Sequence, residues 1–109
     1  MSKPTDLVQG TLDLLILTIL ALEPMHGWAI AQRLHQMSNE VLKVGQSALY
    51  QALHKLEQQG WIEAEWKMSE NNHRAKYYSL TRAGRKALAT EAAQWERLSE
   101  AISLIVRTA

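Results

Sequence analysis

The chain has 109 residues, a formal net charge of +1 and no cysteine. A chain of this length forms a single domain with a modest core, and without cysteine it contains no disulfide, cysteine nucleophile or zinc finger. With 47% hydrophobic and 21% charged residues, it is neither disordered nor a charged tail. The apolar run 14–22 is too short to span a bilayer, so neither a signal peptide nor a membrane anchor is expected.

Three helices are predicted before residue 60. The first covers 7–22, where apolar residues recur at helical spacing, and it ends before Pro24. After a turn at 24–27, which His26 is expected to fix, apolar residues of 28–37 mark one face of a second helix. The third runs from about 46 to 59 and stops at Gly60, a residue typical of helix C-termini.

After residue 60 the spacing between apolar residues changes from 3.6, which is typical of a helix, to 2, which is typical of a strand. Segments 61–67 and 75–81 alternate apolar and polar residues or are rich in strand-forming ones, and 68–74 between them is polar and turn-forming. This pattern predicts a two-stranded β-hairpin with a long tip.

From Thr81 the chain is predicted to be helical until near Arg107, roughly 25 residues or about 38 Å. One stripe of this helix is apolar, and the compact body that precedes it is too small to cover a helix of that length. A partner helix is therefore expected to cover the stripe. Its residues are Leu88, Ala92, Trp95, Leu98, Ile102, Ile105 and Val106.

Positive charge is concentrated near the hairpin. Segment 71–90 holds five Lys and Arg residues, including Arg74 and Lys76, and no acidic residue. Local charge of this kind is what a phosphate-facing surface requires.

The order helix, helix, helix, hairpin, long helix predicts a mainly α (α+β) winged helix-turn-helix. In that fold the third helix enters a DNA major groove and the wing reaches the flanking backbone or minor groove. Double-stranded DNA is thus the expected partner. The predicted contacts are Ser47, Tyr50, Gln51, His54 and Lys55 on the third helix and Asn72, Arg74 and Lys76 on the wing.

Four stretches of the sequence resemble successive signatures of the PadR-like transcriptional regulators: 25–31, 48–57, 60–62 and 74–84. The resemblance implies a cytoplasmic homodimer, usually a repressor of an adjacent promoter. It also implies that residues 1–81 form the DNA-binding domain and that 82–109 form a dimerisation helix of the same compact unit. The first helix is expected to contribute to the dimer.

The family's motif residues carry over with three departures. One is that the wing has fewer arginines than many relatives have, so weaker non-specific binding is expected; the other two lie on the third helix. Tyr50 matches a tyrosine that contacts a DNA phosphate, while Lys55 and Arg74 match basic positions of the recognition helix and wing strand. Ala48 and Gln51 stand where the family usually has serine and proline. One phosphate contact is therefore in doubt, and the base preference is expected to differ.

Trp95 matches the position at which multidrug-sensing members present a tryptophan, two of which sandwich a planar ligand between subunits. A small planar aromatic effector is therefore one hypothesis for this residue. The alternative is that Trp95 is an ordinary packing residue, because it lies at the helical spacing of a core residue. Trp28, Trp61 and Trp66 are expected to be structural.

Catalysis and metal binding find no support in the sequence. The four histidines lack metal-ligand spacing, and no nucleophile, phosphate-binding or dinucleotide motif occurs. No enzyme activity, cofactor or metal is expected. A winged-helix module that binds another protein or RNA, without a DNA operator, remains the alternative to a DNA-binding regulator.

Overall fold

The computed structural model describes residues 4–108, with side chains from residue 11 onward. Its elements are α1 (Pro4–Leu22), β1 (Met25–His26), α2 (Gly27–Met37), α3 (Gln46–Gln58), β2 (Ile62–Met68), β3 (Arg74–Leu80) and α4 (Arg82–Arg107). The predicted winged helix-turn-helix with a long last helix is confirmed. The first helix begins three residues before the predicted boundary, at Pro4, a residue that suits the first helical position because its missing N–H would have no helical partner.

The sheet is antiparallel, in the order β1, β3, β2. The two wing strands pair from Ile62 opposite Leu80 to Met68 opposite Arg74. The third strand, β1, was not predicted, because two residues are too short to show an alternating pattern. The segment interpreted as a turn instead pairs with β3, and Met25 faces Tyr78 there.

The core lies between α1, α2, α3 and the inner face of the sheet. The apolar residues that recur at helical spacing in the sequence form this core, and one side of α3 is buried in it. That side is fixed against the body, so the polar side of α3 faces solvent. The most deeply buried core residues, each at most 2% exposed, include Leu12, Ile16, Leu17, Ile30, Leu49, Leu53, Leu56 and Ile62.

The start of α4 is held against the turn that follows α3. Thr81 caps the helix, since its Oγ1 accepts a hydrogen bond from the Gly84 amide at 3.0 Å and donates one to the Gly60 carbonyl at 2.6 Å. Gly84 is buried, and a Cβ at this position would overlap the carbonyl oxygen of Trp61. Only a residue without a side chain lets α4 approach this closely.

The apolar stripe of α4 divides into two parts. Leu88 packs against the core of its own chain, together with Ala87. From Trp95 to Ile105, by contrast, large apolar side chains are 44–71% exposed, and the molecule extends 54 Å along its longest axis. The distal half of α4 therefore projects from the body with its stripe uncovered.

None of the helices in the described part of the chain is long and apolar enough to cross a membrane.

Candidate nucleic-acid interface

The outer face of α3 carries the predicted recognition residues together. Ser47, Tyr50, Gln51, His54 and Lys55 are all exposed, on the side of the helix opposite the buried leucines. Four of them, all except Lys55, also line a shallow depression on this face. Hydroxyl, amide, imidazole and ammonium groups are thus presented together on one face of the helix, which is the assortment that base edges and phosphates require.

Tyr50 is placed by its contact with the first residue of α2. A Cβ on Gly27 would lie 2.7 Å from the Tyr50 hydroxyl oxygen and 2.9 Å from its Cζ. The phenol therefore uses space that glycine leaves open. His26 fixes the entry into α2 as predicted, since its Nδ1 accepts a hydrogen bond from the Ala29 amide at 3.2 Å.

The two lysines predicted to contact DNA are engaged in ion pairs within the chain. Lys55 Nζ lies 2.6 Å from an oxygen of Asp13 on α1, and Lys76 Nζ lies 3.4 Å from an oxygen of Glu57 on α3. Sequence reasoning missed both pairs, because the partners are far apart in the chain. Both lysines remain at least one-third exposed, so neither pair is shielded from solvent.

The wing presents Arg74 and Asn72. The guanidinium carbon of Arg74 lies 5.3 Å from the ring centroid of Trp66. Asn72 occupies the tip with a φ of 61°, a left-handed conformation that asparagine tolerates. Its backbone N–H donates a hydrogen bond to the Ser69 carbonyl at 2.9 Å. The tip is thereby closed into a turn, with both side chains exposed to solvent.

A buried tyrosine lies behind this surface. Tyr78 is only 5% exposed on β3. Burial raises the pKa of its phenol above the ordinary value, and the Glu57 carboxylate and then Tyr50 raise it further. Tyr78 therefore stays neutral at physiological pH and acts as a packing residue of the core, on the wing strand β3.

An open cleft of about 1010 Å³ separates the wing from the start of α2. Tyr50, Trp28 and Trp66 line it, together with the wing cations Arg74 and Lys76. The structural role expected for the tryptophans is right for Trp61, which packs against the core, but Trp28 and Trp66 are 62% and 57% exposed. The register of the hairpin is the signal that identifies Trp66, because Trp66 is paired with Lys76 and so shares its face of the sheet.

Within the described part of the chain, no three His, Asp or Glu side chains come together as a group that could hold a metal ion.

Comparison with known proteins identifies the family. The family model described as the transcriptional regulator PadR-like family matches residues 16–90. A solved structure of a transcriptional regulator from Clostridium thermocellum is 27% identical, covers 93% of this chain and 98% of its own, and superposes with a TM-score of 0.84. A PadR family transcriptional regulator from Eggerthella lenta is 28% identical over 96% of this chain and 89% of its own, with a TM-score of 0.78.

A curated relative extends the similarity at the level of sequence. An uncharacterised protein of Lysinibacillus sphaericus is 26% identical over 102 residues, which are 94% of each chain. The matched family is one of transcriptional regulators, which supports a DNA-binding role for this chain. With the family model covering well over half of its residues, the chain belongs to the PadR-like family of transcriptional regulators.

Proposed function

We propose that this regulator is a homodimeric repressor that binds an inverted-repeat operator in double-stranded DNA. The observation that carries the proposal is the polar outer face of α3, exposed beside a wing that bears basic residues on the same side of the molecule. A major groove about 12 Å wide admits one helix, and the wing would then meet the flanking backbone or minor groove.

The proposed contacts divide by chemistry. Tyr50, Lys55, Arg74 and Lys76 supply donors to phosphates, which fix position and orientation on the duplex. Ser47, Gln51 and His54 supply the side chains that can read base edges, and Asn72 at the wing tip adds a hydrogen-bonding group for the minor groove. In this assignment residues 1–81 bind DNA, and 82–109 hold the dimer together.

The dimer would form along α4. Trp95, Leu98, Ile102, Ile105 and Val106 are exposed on one stripe, and a second copy offers the same stripe in return. Two-fold symmetry would place the two α3 helices about 34 Å apart, one turn of DNA, so the dimer would recognise an inverted repeat. A repressor of this kind acts on chromosomal DNA and therefore in the cytoplasm.

Regulation by an effector would act through the same helices. Trp95 is 44% exposed, and two copies of it would face one another across the dimer. A planar aromatic compound stacked between the two indoles would favour one spacing of the α3 helices over another, and so change the operator affinity. Trp95→Ala should abolish quenching of the intrinsic fluorescence by such compounds.

Selection of bound duplexes from a random pool tests the operator proposal. The enriched sites should be inverted repeats with half-sites one helical turn apart, and affinity should fall steeply with salt because phosphate contacts release counterions. Gln51→Ala should relax the preference at one position of each half-site, whereas Lys55→Ala should weaken binding to all sites equally. Enrichment of no duplex at all would support the alternative, a winged-helix module that binds another protein or RNA.

A further inference from the structure

We propose that Trp66 is a positioning residue for Arg74, holding its guanidinium at the mouth of the cleft where a DNA phosphate would lie. This inference rests on the proposed function. It adds to the DNA-binding surface a residue that touches the protein's own arginine and acts through it.

The hairpin register brings the two residues together. Trp66 is opposite Lys76, and Met68 is opposite Arg74, so Trp66 and Arg74 are diagonal neighbours on one face of the wing. The Arg74 guanidinium carbon lies 5.3 Å from the Trp66 ring centroid, inside the range of about 6 Å over which a cation is attracted to a ring face.

Arg74 contacts an aromatic ring, whereas the two lysines proposed to contact DNA are paired with carboxylates. Lys55 and Lys76 are paired with carboxylates, whereas Arg74 takes part in none of the ion pairs found among residues 11–108. A carboxylate occupies the N–H donors of a guanidinium, but the face of an aromatic ring does not compete for them in this way. Arg74 is thus held in place with donors free for a bidentate contact to a phosphate.

The exposure of Trp66 indicates what the indole does. Trp61 at the start of the hairpin packs against the core, but Trp66 is 57% exposed, and its side chain lines the cleft shared with Tyr50 and Arg74. An indole that restricts the arginine before DNA arrives lowers the conformational entropy lost on binding. The DNA-binding surface gains affinity from this restriction without any added charge.

A double-mutant cycle tests the proposal. Operator affinity is measured for the parent protein and for four variants: Trp66→Ser, Trp66→Phe, Arg74→Ala and the double variant Trp66→Ser with Arg74→Ala. Trp66→Ser should weaken binding about two- to fivefold for each wing, the fold-change that corresponds to an exposed cation–π contact. Trp66→Phe, which keeps a ring, should stay within about twofold of the parent protein. In the Arg74→Ala background, Trp66→Ser should have no further effect.

Two further readouts separate positioning from a general structural effect. Log affinity falls with log salt, and Arg74→Ala should make this dependence shallower by about 0.9 for each wing. Trp66→Ser should leave the salt dependence unchanged, because the phosphate contact still forms. In the free protein, the Arg74 side-chain protons should show an upfield ring-current shift by NMR, kept in Trp66→Phe and lost in Trp66→Ser.

The outcomes distinguish this inference from the proposed function. If the parent protein binds a duplex and Trp66→Ser costs as much without Arg74 as with it, or if Trp66→Phe is as damaging as Trp66→Ser, the positioning role is overturned. If the parent protein keeps the ring-current shift but binds no duplex, the proposed function fails, and the role of the pair in DNA binding fails with it.

Discussion

Asp13 of α1 and Lys55 of α3 form an ion pair in which the ammonium nitrogen lies 2.6 Å from a carboxylate oxygen. A half-exposed pair of this kind contributes little to folding, about 0–1 kcal/mol. It does, however, hold a cation of the recognition helix on the protein's own carboxylate. In the proposed complex, a DNA phosphate that binds Lys55 would compete with Asp13, and the carboxylate would lower the affinity for DNA.

Asp13→Asn should accordingly raise operator affinity. Removal of the competing carboxylate frees Lys55 and removes a negative charge near the duplex, so we expect a gain of about two- to fivefold at moderate salt, the equivalent of about 0.4–1 kcal/mol. Fluorescence anisotropy with a labelled operator measures it. The control is Asp13→Asn combined with Lys55→Ala, in which most of the gain should disappear. An equal gain in both backgrounds would show that the pair does not restrain Lys55.

Gly27→Ala should impair DNA binding more than folding. An added methyl would meet the Tyr50 hydroxyl at 2.7 Å, so the phenol must shift, whereas alanine in the first turn of α2 suits the helix itself. Loss of one phosphate hydrogen bond corresponds to about tenfold in affinity, with a melting temperature close to that of the parent protein. Gly45→Ala is the matched control, because a Cβ there meets nothing within 4 Å. If Gly27→Ala and Tyr50→Phe have additive effects, the contact does not place the phenol.

Gly84→Ala should instead damage the fold. The new Cβ would overlap the backbone carbonyl of Trp61, and a backbone atom cannot move aside as a side-chain end can. We expect a loss of about 3 kcal/mol in the free energy of unfolding, the upper end of overpacking costs. Urea denaturation followed by circular dichroism measures it. Ala83→Gly, at the exposed position next to Gly84, is a control that should cost about 1 kcal/mol or less. Equal midpoints for the two variants would contradict the close approach of α4.

The exposed polar face of α3 could be predicted from sequence, because apolar residues at a period of 3.6 determine which side of the helix is buried and therefore which side faces solvent. Local periodicity carries no information about partners distant in the chain. The pairing of Lys55 with Asp13 and the docking of Leu88 on its own core were missed for that reason. Trp66 lies on the same face of β2 as the buried Ile62, so strand alternation indicated a core residue. It is exposed because the core ends before the tip of the wing, where β2 is exposed from Glu65 onward.

Tyr78 should make the protein less stable at high pH. Its pKa is raised in the folded state by burial and by Glu57, whereas in the unfolded chain a tyrosine ionises near pH 10. Above about pH 10 the unfolded state loses this proton while the folded state keeps it, so the free energy of unfolding falls as pH rises; below that window the residue contributes no pH dependence. Urea midpoints from pH 8 to 11 should fall less steeply in Tyr78→Phe. Parallel curves for the two proteins would exclude Tyr78 as the source.

Ile102→Asp should dissociate the proposed dimer. Ile102 lies on the exposed stripe with Trp95 and Ile105, and a carboxylate at a buried interface has no partner there. Light scattering after size exclusion should show a monomer that keeps the parent's circular dichroism, since the side chain is 49% exposed in the single chain. Operator affinity should also fall, because a monomer contacts only one half of the inverted repeat.

Leu104→Asp supplies the matched control for the dimer, because it places the same charge two residues away, about 200° around the helix. Leu104 is also exposed, so the change costs the single chain no more than Ile102→Asp does. The dimer should survive Leu104→Asp if α4 pairs through the stripe alone. Should both variants be monomeric, the end of α4 is enclosed on two sides by its partner, and the interface extends beyond a simple helix pair.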